Sequence, residues 1–127
     1  MWSHRRRFEA EVGSVCHARE FVGSHLTDHG QPELVDDVTL VMSELATNAV
    51  VHARTPFSVT IQAFDESLLL LVSDDSPTRP SPVASGPLDP GGRGLMIVEA
   101  LTTAWGVTAG QGGAKSVWAQ FPRCGAL

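Results

Sequence analysis

Cysteine is scarce in this chain and placed where it organises nothing: Cys16 and Cys124 stand at opposite ends, without CxxC spacing or an accompanying histidine pattern. Neither a zinc site nor a disulfide framework is signalled, and two reduced thiols are expected. Basic charge is also short. Nine Lys and Arg against fourteen Asp and Glu give a formal net charge of -5 and a pI near 5.4. That balance argues against a general binder of nucleic acid or anionic membrane, because phosphate neutralisation needs a basic face. The single basic run, His4-Arg5-Arg6-Arg7, is too short to reverse it and reads as a solvated amino-terminal strand or tail. No apolar run approaches membrane-spanning length, and no basic-then-apolar leader with a small-residue cleavage site opens the sequence, so a cytoplasmic protein is expected. Internal repeats and low-complexity tracts are absent as well.

What is present fits one domain over residues 1–127. A chain of that length, 43% hydrophobic and 18% charged, has room for a real core. A weakly alternating stretch at 5–12 predicts a first strand, and Ser14 is placed to cap a helix that Gly30 stops. Pro32 suits the first turn of a second helix, with Glu33, Asp36 and Asp37 near its positive end, and that helix should run to about residue 53. Residues 57–64 alternate at period two. After the turn Asp65-Glu66-Ser67, Leu68-Leu69-Leu70-Leu71-Val72 predicts a fully buried strand that delivers Asp74. Residues 77–90 carry Pro77, Pro80, Pro82, Pro87 and Pro90, which excludes a regular ladder and predicts a long surface loop. Gly91-Gly92-Arg93-Gly94 then leads into a short apolar helix from Leu95 to Leu101. A final hairpin is expected over 105–109 and 115–121.

The chemistry concentrates in three places. Ser43-Glu44-Leu45-Ala46-Thr47-Asn48-Ala49-Val50-Val51-His52-Ala53 sets an acid, an amide and an imidazole four apart, so a helix stacks Glu44, Asn48 and His52 on one face. In a segment so apolar from 34 to 53, the carboxylate and amide need partners, and a bound polar ligand would serve. The glycine turn at 91–94 frees backbone amides at a helix N-terminus, the physical makings of a phosphate cradle, or simply a loop-to-helix joint. Asp74 suits the exocyclic amino group of adenine, while a turn-forming role in Asp74-Asp75-Ser76-Pro77 fits the spacing equally. Asn48 can offer its carbonyl oxygen to magnesium, and Glu44 can orient or deprotonate an attacking hydroxyl. His52 either touches phosphates or caps the core edge. No GxxxxGK[ST] occurs, and Gly92-Arg93-Gly94 lacks the third glycine of a dinucleotide fingerprint. His25 and His29, four apart on the first helix with only Asp28 nearby, read as a solvated face rather than a metal grip. Trp105 and Trp118 should pack the sheet, and Trp2 an edge or interface.

The order of these motifs, Glu44-Leu45-Ala46-Thr47-Asn48-Ala49, then Asp74-Asp75-Ser76, then Gly91-Gly92-Arg93-Gly94-Leu95, then Gly113-Ala114-Lys115-Ser116-Val117-Trp118, resembles the ATPase domain shared by histidine kinases, gyrase B and MutL. Within that superfamily it is similar to the stand-alone anti-sigma-factor serine/threonine kinases of bacterial partner switching, over nearly the whole chain. The resemblance implies an α/β (α+β) two-layer sandwich, its mixed, largely antiparallel sheet covered on one face by helices. It implies ATP and Mg2+ as ligands, with Asn48 on magnesium, Asp74 on adenine, Gly92 and Gly94 on phosphates, and Glu44 as catalytic base. Ser76, His52, Arg93, Leu95, Lys115 and Ser116 complete the implied nucleotide site, the last two near the phosphates, and residues 77–91 form the ATP lid. A sigma factor, an antagonist protein and a second copy of the chain are the implied partners. A non-catalytic, ATP-dependent binding module is the rival reading, since only Glu44 speaks for transfer. Ser76 departs from the glycine common in the wider superfamily, and the lid segment is short.

Overall fold

The computed structural model describes residues 1–75, 93–109 and 114–123. Strand β1 (Trp2–Phe8) leads to helix α1 (Val12–Asp28), and a 3-10 turn (Pro32–Leu34) opens α2 (Val35–Thr47), which winds on as a π-helical segment (Asn48–Ala53). Strands β2 (Phe57–Ala63) and β3 (Ser67–Asp74) form a hairpin, followed by α3 (Arg93–Leu101) and the strands β4 (Ala104–Ala109) and β5 (Lys115–Pro122). The expected strands and helices are there, with boundaries moved by a few residues. Helix α1 begins at Val12 without a side-chain cap, and Ser14, the expected cap, is buried inside it. Its end is as expected. Gly30 takes φ 73°, the Gly30 N–H donates to Thr27 O and the Gln31 N–H to Leu26 O, the crossed pair of bonds that closes a helix on a left-handed residue.

The five strands form one sheet in the order β1-β2-β3-β5-β4, and all four pairings are antiparallel. Bringing β5 beside β3 leaves β4 outermost, with α3 on the path between β3 and the last hairpin. Helices α1 and α2 pack together, and α2 packs on α3, β3 and β5. Side chains on α1 recur at four-residue spacing, Ala18, Val22 and Leu26, to meet Val38, Val41, Met42 and Leu45 of α2. These close on Val59, Ile61, Leu68, Leu70, Val117, Ala119 and Phe121 of the sheet. Each fully buried aliphatic side chain there contributes roughly 1.5–3 kcal/mol, so the interface between the layers is the main stabilising term.

Two expectations are corrected. Strand β3 is buried on one face only: Leu68, Leu70, Val72 and Asp74 point to the helices, while Leu69 and Leu71 are half-buried on the open face. An unbroken leucine run conceals that alternation. Helix α2 is likewise one-sided, with Leu40 exposed outside the core and Val51 exposed on the following segment. Trp105 packs against the core. Trp118 pairs with Gly106 across β4 and β5, where a Cβ on Gly106 would lie 2.7 Å from the indole. Among the described residues, no helix is long and apolar enough to cross a membrane.

Candidate functional site

Asn48 carries the site. It stands where α2 gives way to the π-helical segment, is only 3% exposed, and its side-chain oxygen Oδ1 is buried without a hydrogen-bond partner among the described residues. A buried amide oxygen left so costs on the order of 1–3 kcal/mol unless something outside the protein satisfies it. The local backbone explains why it is held there. The Arg54 N–H donates to Ala49 O at 2.7 Å, a five-residue span, and Arg54 takes φ 57°, a left-handed conformation uncommon for a residue with a side chain. Such π turns cluster at functional positions because they re-aim the side chains around them.

Glu44, one turn earlier, is half-buried, whereas His52, in the wider-wound segment, is exposed. The three do not share one environment. The expected stack of Glu44, Asn48 and His52 therefore reduces to Glu44 and Asn48, because the five-residue winding takes His52 off four-residue spacing.

The end of β3 supplies the second part. Asp74 is 4% exposed on the helix-facing side of the sheet and pairs in register with Lys115 of β5, itself 5% exposed. The Lys115 ammonium lies 3.2 Å from Asp74 Oδ2. Of the two neighbouring acids, Asp74 is thus the interior one. Asp75 turns outward to an exposed ion pair with Arg7 at 3.0 Å, and its backbone N–H donates to Thr55 Oγ1 at 3.2 Å, tying the end of β3 to the exit of the π segment.

The other expected residues divide. Lys115 is brought to Asp74. Ser116, its neighbour, is not: strand alternation turns it to the open face, where its hydroxyl shares a hydrogen bond of 2.6 Å with Ser73. Its hydroxyl therefore does not join a site on the helical face. Arg93, Gly94 and Leu95 form the first turn of α3, where backbone N–H groups are free of helical partners. Ser76, Gly92 and the 77–91 segment lie outside the described residues. Sequence reasoning missed the Asp74–Lys115 pair, whose only signal is the register of two strands separated by a helix and a further strand. It also did not foresee that His4 would join the histidines of α1, of which His29 is exposed and His25 half-buried. His4 of β1 meets His25 and His29, and burial, with the neighbouring His4 and His29 imidazoles, lowers the His25 pKa below 6.5 against the opposing pull of Asp28.

Chemically, the helical face of the sheet offers an uncompensated amide oxygen, a nearby carboxylate, an interior aspartate and a helix N-terminus. A carboxylate and an amide oxygen suit a hard cation such as magnesium, which keeps waters and phosphate oxygens in the rest of its shell. The residues fit the group. The profile of the histidine kinase-like ATPase domain matches residues 8–121. No curated protein matches the chain. Among solved structures, the chain is similar to the RsbU and RsbW domains of Rv1364c from Mycobacterium tuberculosis, with a TM-score of 0.72 at 17% identity. That likeness covers 100% of this chain and 34% of the other, so the chain spans about a third of that protein's length.

Proposed function

The chain belongs to the histidine kinase-like ATPase family, and from that premise we propose that it binds ATP on the helical face of its sheet and phosphorylates a serine or threonine of a small antagonist protein. In its other state it holds a sigma factor, so that phosphorylation of the antagonist decides which partner is bound. Bound magnesium would supply charge neutralisation at the phosphates. The observation that carries the reading is the Oδ1 of Asn48, buried and without a hydrogen-bond partner among the described residues, one turn from Glu44, with Asp74 buried on the helix-facing side of the sheet. Support for the partners comes from the order of the four motifs.

Asn48 would hold magnesium through its carbonyl oxygen, Asp74 would accept from the amino group of adenine, and the first turn of α3 would present N–H groups to phosphate oxygens. Glu44 aims the acceptor hydroxyl and takes its proton as the new oxygen–phosphorus bond forms and the bond to the ADP oxygen breaks. The modified serine or threonine gains negative charge, which weakens its contact with the kinase by repulsion from a protein already at -5. Homodimerisation and a cytoplasmic, transcription-regulating role belong to the same proposal. The binding-module reading keeps every one of these contacts except the proton transfer to Glu44.

Incubation of the chain with γ-labelled ATP, magnesium and candidate antagonist proteins tests the proposal. Label on a serine or threonine of an antagonist that also binds the chain supports it. Binding without transfer favours the module.

A further inference from the structure

Outside the nucleotide face, β1 and the end of α1 bring three imidazoles together. His25 and His29 lie four apart on α1, so their rings leave the same side of the helix, and His4 comes to them from the helix-facing side of β1. The ligating nitrogens of the three lie within 4.8 Å of one another, and they are the one group of three such donors among the described residues. His4 Nε2 and His29 Nε2 are 2.9 Å apart and share a proton in a hydrogen bond.

We propose that His4, His25 and His29 bind a zinc-type divalent transition metal that clamps the edge strand β1 to the last turn of α1. Tetrahedral zinc holds imidazole nitrogens at about 2.0–2.1 Å, which sets them roughly 3.3–3.4 Å from each other. The His4–His29 pair has to open by a few tenths of an ångström, the shared proton passing to the Nδ1 of its ring as the metal takes its place, and His25 has to close from within 4.8 Å. Aromatic neighbours limit the motion of the rings, and the His4–His25 stack has to tilt open for both in-plane lone pairs to reach one ion. Trp2 stacks on His29 at 4.1 Å with planes 9° apart, His4 stacks on His25 at 3.7 Å, and Phe21 meets His25 edge-on at 4.9 Å. An all-imidazole set selects zinc, copper or nickel over calcium or magnesium, whose ligands are oxygens. The ion is therefore chemically distinct from the magnesium of the nucleotide face. Its role is to hold β1, which has a neighbour on one side only.

Titration of the chelator-treated full chain with zinc chloride, followed by calorimetry and by Trp2-dependent fluorescence, tests this. One zinc per chain is expected. His4→Gln, His25→Gln and His29→Gln should each weaken it by at least about tenfold, and His17→Gln, at an exposed position about two turns before His25 on the same helix, should not. Circular dichroism of the metal-free variants establishes that they fold. Should any fail to fold, X-ray absorption of the zinc-loaded wild type decides, with three imidazole nitrogens expected. No saturable binding, binding indifferent to all three substitutions, or fewer than two imidazoles on zinc overturns the proposal.

Discussion

Lys115 and Asp74 face each other across β5 and β3 inside the protein, ammonium to carboxylate at 3.2 Å, with each side chain about 5% exposed. One is the first residue of its strand and the other the last, so the pair closes the sheet where β3 gives out. Lys115 thereby positions Asp74. A carboxylate has about four lone-pair positions, and the ammonium takes up only part of that capacity at Oδ2.

Removing Lys115 takes from the buried Asp74 carboxylate the ammonium that lies 3.2 Å from it. Lys115→Met is expected to destabilise the fold by about 3–5 kcal/mol, read from urea denaturation at neutral pH, and the double variant with Asp74→Asn should recover part of the loss. A cost for Lys115→Met within about 0.5 kcal/mol, typical of surface sites, would show that the pair is not held in the interior.

Asn48→Ala removes the buried amide oxygen that lacks a partner among the described residues. The variant should be as stable as wild type or more so, because a buried polar atom without a partner is lost. It should also lose the strengthening of ADP binding by magnesium. Calorimetry with and without chelator checks both statements. Magnesium dependence unchanged from wild type would move the cation away from Asn48.

Much of this was legible beforehand, for identifiable reasons. Glycine and proline mark backbone events locally, so Gly30 ended α1 where expected and the strand–helix order could be read along the chain. The motifs at Glu44, Asn48 and Asp74 were visible because polar groups in apolar surroundings are costly without a purpose. Contacts set by tertiary register were not visible. Lys115 meets Asp74 only because β5 inserts beside β3, and Ser116 is turned away by the same alternation. The π winding after Thr47, which separates His52 from Asn48, depends on one hydrogen-bond shift that no residue type announces. His4 joined His25 and His29 through the pairing of β1 with β2, and the leucine run of β3 hid its exposed face because both faces carry the same residue.

Gly106 tests the open face of the sheet. A Cβ there would come within 2.7 Å of the Trp118 ring, so Gly106→Ala must displace an indole that covers the β4–β5 pair. A loss of about 1–3 kcal/mol is expected, together with a change in Trp fluorescence. The double variant Gly106→Ala with Trp118→Leu should lose less than the sum of the two single changes. Strict additivity would mean that the two positions do not touch.

Glu44 separates a kinase from a module that only binds. With an antagonist protein that the wild type both binds and phosphorylates, Glu44→Ala should retain nucleotide and antagonist affinity while its single-turnover rate of phosphotransfer falls by about 100-fold or more, the usual contribution of a positioned base. Loss of rate with binding intact is the expected result. A Glu44→Ala protein that transfers phosphate as fast as the wild type would contradict the assignment of the proton acceptor and with it the proposed mechanism.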